Sequence, residues 1–152
     1  NIINSISPVL LIECWVVFSF RINYNTVMSS DCLFCNISKE RIILENDLAY
    51  AIHDGFPVTE MHSLVIPKRH IYDYFDLTKD ELFACDKLIK NLKENMLIED
   101  SSINGFNIGM NSGISGGQTI FHCHIHLIPR RTGDVSNPRG GVRNIIPGKG
   151  NY

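Results

Sequence analysis

Three histidines alternate with other residues in the run Gly116-Gly117-Gln118-Thr119-Ile120-Phe121-His122-Cys123-His124-Ile125-His126-Leu127-Ile128-Pro129-Arg130, and they are half of the six histidines in the chain. Imidazole titrates near neutral pH and can act as nucleophile, base or metal ligand, so this row is the first place to look for chemistry. Read as a strand, the run sends Phe121, Cys123, Ile125 and Leu127 to one face and His122, His124 and His126 to the other. Strand positions two apart are roughly 6.6 Å from each other, which puts His122 and His126 about 13 Å apart, too far to share one small ion. The three rings are expected to divide their roles. The glycine pair with Gln118 and Thr119 just before them can turn backbone N–H groups toward an anion, because glycine permits close approach and positive φ. Donors around an anion beside nucleophilic rings are the ingredients of phosphoryl transfer.

A second chemical group is Cys32-Leu33-Phe34-Cys35, whose thiolates two residues apart can both face a tetrahedral zinc. Such a pair is half a site. Spacing admits any of His53, His62, His70, His122, His124 and His126 as the remaining ligands, and it equally admits two buried thiols with no metal.

The elements that must carry these residues are mostly strands. Ile42-Ile43-Leu44, a turn at Glu45-Asn46-Asp47, and Leu48 to His53 read as a hairpin bounded by Asp54-Gly55. A strand from His62 to Ile66 is stopped by Pro67, and Gly105 to Met110 reads as another strand before the loop Asn111 to Gly117. One segment, at about residues 78–98, has helical periodicity. Thr78-Lys79-Asp80-Glu81 has capping-box spacing, and Leu82, Cys85, Ile89, Leu92 and Met96 mark its expected buried stripe, with Asp86 and Lys90 on the solvated side. Strands joined by short turns, without strand–helix–strand alternation, predict an α+β fold with an antiparallel sheet.

Composition sets outer bounds. The 152 residues are 44% hydrophobic and 20% charged, which describes one ordinary globular domain with a core of its own. A formal charge of -2 removes the surplus of Lys and Arg on which binding to nucleic-acid polymers or anionic membranes rests. Five cysteines, an odd number with one Cys-x-x-Cys pair, suit metal binding in a reducing compartment better than a disulfide framework. Residues 1–27 differ from the rest. Pro8 to Phe20 is nearly all apolar, yet it is shorter than a membrane span and carries Glu13 near its middle. With Met28-Ser29-Ser30-Asp31 reading as a natural start, 1–27 is expected to be an extension outside the fold and 28–152 the domain.

The pattern Gly117-Gln118-Thr119 followed by His122-Cys123-His124-Ile125-His126-Leu127-Ile128 resembles the signature of the histidine triad family of nucleotide hydrolases and transferases. The likeness is collinear from Cys32-Leu33-Phe34-Cys35 through Ala51-Ile52-His53-Asp54, His62-Ser63-Leu64-Val65-Ile66-Pro67-Lys68-Arg69-His70 and Asn111-Ser112-Gly113, covering about residues 31–131 and leaving 132–152 as a loop-like tail. The resemblance implies a HIT-like fold, a five-stranded antiparallel sheet with flanking helices, assembled as a homodimer in the cytoplasm.

It also implies roles. His124 would be the nucleophile that attacks an α-phosphate and forms a transient nucleotidyl-histidine, which water resolves to a nucleoside monophosphate. His126 would help position phosphate and nucleophile, and Gln118 and Thr119 would contact phosphate oxygens or the leaving group beside Gly117. Asp54 would bind ribose hydroxyls, Asn111 would lie near sugar and phosphate, and His62 near the phosphates. Members that keep the Cys-x-x-Cys imply a structural zinc on Cys32, Cys35, His70 and His122. Substrates of that class are dinucleoside polyphosphates or nucleoside phosphoramidates. The alternative is a nucleotide-binding regulatory module that retains the pocket with little catalysis. Arg130, Arg131, Arg139 and Arg143, with Asp134 opposing them, form a basic tail able to reach a polyphosphate.

Overall fold

The structure is a computed structural model and describes residues 31–150; the expected 1–27 extension lies outside the described residues. Five strands, β1 (Ile42–Glu45), β2 (Ala49–His53), β3 (Ser63–Pro67), β4 (Ile103–Gly109) and β5 (Ile125–Arg131), form one antiparallel sheet in the order β1-β2-β3-β5-β4. The α-helix found among the described residues, α1 (Lys79–Glu99), connects β3 to β4. The expected α+β, five-stranded antiparallel architecture is the one observed, and the element boundaries shift by one or two residues except at the histidine strand, which starts only at Ile125.

Alternation along the central strands supplies both layers. Ala49, Ala51, Val65, Ile125 and Leu127 turn to α1 and pack with Cys85, Leu88, Leu92 and Met96. Tyr50, Ile52, Leu64 and Ile66 turn the other way and are covered by Phe34 from the Cys-x-x-Cys segment. That second layer is pinned by the Tyr50 hydroxyl, which donates to the Phe34 carbonyl over 2.5 Å. Both faces of β2 and β3 are covered, so the cysteine segment is a structural layer of the fold.

The helix starts as its capping box predicts: Thr78 Oγ1 accepts from Glu81 N–H at 3.2 Å, and Glu81 Oε2 accepts from Thr78 N–H at 2.9 Å. The buried stripe is rotated from the one expected. Cys85, Leu92 and Met96 face inward as read, Leu88 joins them, Ile89 is only partly buried against the same core, and Leu82 is exposed. The cause is Glu81, which is 5% exposed because Arg69 reaches it with two hydrogen bonds of 2.7 and 2.8 Å. A bidentate carboxylate–guanidinium pair turns this helix face toward the connector before α1.

The Arg69 hydrogen bonds hold the Glu81 carboxyl down at about 2 from its ordinary 4.5. Its stabilisation is therefore complete above about pH 4.5 and vanishes as pH falls through about 2. Glu81→Gln is expected to cost about 2 kcal/mol at pH 7. Urea unfolding of both proteins should show the gap closing between pH 4.5 and 2, and a gap independent of pH would contradict the pairing.

Candidate functional site

The sheet and the connector between β3 and α1 bring the predicted residues into two adjoining clusters. In the first, the donor atoms of Cys32, Cys35, His70 and His122 all lie within 4.8 Å of one another. Cys32 Sγ is 3.4 Å and Cys35 Sγ 3.5 Å from His122 Nδ1, and Cys35 Sγ is 3.2 Å from His70 Nδ1. Zinc bonds of about 2.3 Å to sulfur and 2.0 Å to nitrogen, at the tetrahedral angle, require sulfur–nitrogen separations of about 3.5 Å. The observed distances fit. The remote nitrogen of His122 donates to the Pro67 carbonyl at 2.9 Å, which leaves Nδ1 with its lone pair toward the thiols, the second-sphere arrangement of a ligating histidine. Burial holds His122 down at about 4, so it is neutral at physiological pH. Burial and the neighbouring Cys32 thiol push Cys35 up to about 11, a penalty that a cation held between the sulfurs would reverse.

The segment that carries His122 corrects the strand reading. β5 begins only at Ile125, so His122 and His124 precede it. Cys123 N–H donates to Ile71 O at 2.8 Å, which binds this stretch to the connector. Cys123, Ile125 and Leu127 are buried as expected, but Phe121 is exposed and stacks on Tyr72 at 5.1 Å. Leaving strand geometry is what sends His122 to the cysteines while the His124 and His126 rings stay 5.2 Å apart.

The second cluster starts at His124, 7% exposed. Its Nδ1–H donates to the His122 carbonyl at 2.7 Å, which assigns the lone pair to Nε2. Phe34, between the two cysteines, meets the His124 ring edge-on at 5.2 Å. The place of Phe34 between two metal-type ligands is the one sequence signal for this contact. His126 Nδ1 lies 3.0 Å from His62 Nε2, and Asp54 Oδ2 lies 3.4 Å from His62 Nε2 and 3.8 Å from His126 Nδ1. Val58 N–H donates to His62 Nδ1 at 3.3 Å. The chain of donors then reads Val58 N–H to His62 Nδ1, His62 Nε2–H to His126 Nδ1, leaving the proton of His126 on Nε2. Burial, followed by the neighbouring His124 and His62, holds His126 down at about 4; burial also lowers His62. Both rings are neutral near pH 7. The Val58 contact is made by backbone, and no residue type announces it.

The remote nitrogens separate the two clusters chemically. His122 faces a carbonyl acceptor, as a metal ligand does. His62 faces an N–H donor, which fills the nitrogen that a ligating ring would keep protonated. Asp54, His62 and His126 also come within 4.8 Å of one another, but their hydrogen bonds describe a proton-bearing chain and not a metal site. Asp54 Oδ1 accepts from Phe56 N–H at 2.8 Å, so this carboxylate is a turn residue as well as a neighbour of both rings.

The loop Gly113–Thr119 holds Gly113 and Gly117 at φ 73° and 83°, values that favour glycine. Gln118 is 4% exposed, while Asn111, Gly117 and Thr119 lie at the surface. The basic tail is not a tail of open charges: Arg130 pairs with Asp134 and Asn107, and Arg131 with Asp100 and Thr59, both arginines being part of β5. No helix among the described residues is long and apolar enough to cross a membrane.

A five-stranded antiparallel sheet that sets the histidines at the head of β5 between a cysteine–histidine cluster and a glycine loop defines the histidine triad class. The family model for the HIT domain matches residues 37–133, and the chain belongs to that family. It is 40% identical over 108 residues to an uncharacterized HIT-like protein of Mycoplasma genitalium, covering 67% of this chain and 74% of that one. It is 34% identical over 116 residues to an adenylylsulfatase of Arabidopsis thaliana, covering 72% of this chain and 57% of that longer protein. A Zn-bound histidine triad family protein from Mycobacterium smegmatis superposes with a TM-score of 0.64 at 32% identity, covering 70% of this chain and 80% of that chain.

Proposed function

We propose that this protein hydrolyses the bond between a nucleoside α-phosphate and its leaving group through a covalent nucleotidyl-His124. The observation that carries the reading is the 2.7 Å bond from His124 Nδ1 to the His122 carbonyl, which selects the tautomer whose lone pair lies on Nε2 of a buried ring. That lone pair attacks phosphorus, and the leaving group departs with the bonding electrons and takes up a proton. Water then displaces His124, releasing nucleoside monophosphate and a proton, so one displacement becomes two easier ones. His126 Nε2–H is a neutral donor for a phosphate oxygen, and the loop backbone can hold the others. Asp54 and Asn111 are read as nucleoside contacts, in keeping with the resemblance.

Zinc on Cys32, Cys35, His70 and His122 is proposed as the structural partner of this chemistry. Four protein ligands with no open position supply stability and place the His122 carbonyl, and no substrate step passes through the ion. The functional assembly is proposed to be a homodimer acting on small nucleotides, in the cytoplasm.

A panel of an adenosine phosphoramidate, diadenosine tetraphosphate and adenylyl sulfate tests the reading. Release of adenosine monophosphate from at least one is expected; tight adenosine monophosphate binding with release from none would instead make the protein a regulatory nucleotide binder. His62→Ala is expected to lower kcat about 10–100-fold by freeing the tautomer of His126, with KM changed far less. Unchanged kcat would remove His62 from the donor chain.

A further inference from the structure

The resemblance assigns Gln118 to phosphate oxygens or the leaving group, but its surroundings give it different work. Oε1 accepts from Gly113 N–H at 2.9 Å, and Nε2 donates to the carbonyls of Tyr72 at 2.7 Å and Ile120 at 3.2 Å. Both amide donors and the carbonyl are engaged, in a side chain only 4% exposed. The backbone repeats the tie, since Gln118 N–H donates to Gly113 O at 3.1 Å. Gly113 and Gln118 thus close the glycine loop in both directions.

The loop is also fastened from outside. Three consecutive connector residues each hold one point of the stretch that leads to the histidines. Asp73 Oδ2 accepts from Ser112 Oγ at 2.8 Å, Tyr72 O from Gln118 Nε2, and Ile71 O from Cys123 N–H at 2.8 Å. His70, a donor of the cysteine–histidine cluster, is the next residue back along the same connector. Among the described residues, by contrast, Thr119 has no protein partner for its N–H or hydroxyl. The group that can meet a phosphate is the neighbour of Gln118.

We infer that Gln118 is a positioning residue: it locks the Gly113–Thr119 loop onto the Ile71–Asp73 connector so that Thr119 and the loop backbone are preset for the phosphate, and it does not itself touch substrate. This rests on the proposed function for its catalytic consequence, and on geometry alone for the lock. Preset donors serve every charge-separating step alike, because they are in place before the reaction begins. A contact to the leaving group serves only the step in which that group departs.

Gln118→Glu tests the difference in the full-length protein, since an isosteric carboxylate faces the Tyr72 and Ile120 carbonyls with nothing to donate. Single-turnover kinetics should show formation and hydrolysis of the nucleotidyl-enzyme slowed by the same factor, about 10–100-fold, whichever leaving group is used. Hydrogen exchange of the Gly116, Gly117 and Gln118 amides should accelerate at least about tenfold. Ser112→Ala, which loosens a separate tie, should give a weaker version of the same pattern and covers the case in which Gln118→Glu does not fold. Slowing of the first step alone, scaled to the leaving group, with loop exchange unchanged, would overturn the inference. Faster exchange in a protein whose wild type hydrolyses none of the panel would end the proposed function and leave the lock standing.

Discussion

His124→Ala is expected to lower turnover of an adenosine phosphoramidate by about four orders of magnitude or more, while adenosine monophosphate still binds within about threefold of wild type. The size follows from the role. A nucleophile takes part in both displacements, and none of the neighbouring rings presents a free lone pair in its place. His126 Nδ1 is occupied by His62, and the Nδ1 of His122 faces two sulfurs. Binding should persist because the proposed nucleotide contacts, the N–H groups of the glycine loop and the accepting carboxylate of Asp54, belong to other elements. His124→Asn is the companion variant: its amide can still donate to the His122 carbonyl and so preserve the local fold without a ring to attack phosphorus. Equal turnover in wild type and either variant would refute covalent catalysis at this position.

Removal of the proposed zinc is expected to have the largest effect on stability. Stripping zinc with a chelator, or substituting Cys32→Ala, should cost at least about 4 kcal/mol, the stabilisation from a ligand present at a thousand times its Kd. For a domain of this size that corresponds to a fall in Tm of about 10 °C or more. The cluster joins the cysteine segment to the connector and to the histidine stretch, three pieces distant in sequence, and Phe34 lies between its cysteines over one face of the sheet. Loss of the ion should therefore reach catalysis indirectly, since the carbonyl that fixes His124 belongs to His122. Negligible zinc in the purified protein, with melting and activity indifferent to chelator, would contradict the assignment.

Much of this arrangement could be read from residue types, and what could not has identifiable physical causes. Strand alternation correctly set Ile125 and Leu127 inward, and the capping box located the start of α1. The stripe on that helix missed Leu88 because steps of three and four residues from Cys85 to Leu92 admit Leu88 and Ile89 equally well; Leu88 is fully buried, Ile89 packs partly against the same core, and Leu82 is the residue left exposed. The three histidines do divide their surroundings, but for a different reason from the one inferred: the chain leaves extended geometry before Ile125 to bond the connector, a long-range hydrogen bond without a local signal. Gln118 was given a role from a pattern, and its hydrogen bonds are what support the positioning role proposed for it instead. A glutamine in a glycine loop is equally able to hold phosphate or backbone, and only its partners decide. The Val58 and Pro67 contacts that set the tautomers of His62 and His122 are backbone groups, and composition says nothing of them.

The central claim, a covalent bond from His124 Nε2 to the α-phosphorus, is tested most directly by trapping it. Wild-type protein mixed with an adenosine phosphoramidate and quenched within one turnover should gain the mass of one adenylyl group. Peptide mapping should place that group on His124, and it should be absent from His124→Ala. Turnover without any adduct, or an adduct on His126 in place of His124, would contradict the mechanism.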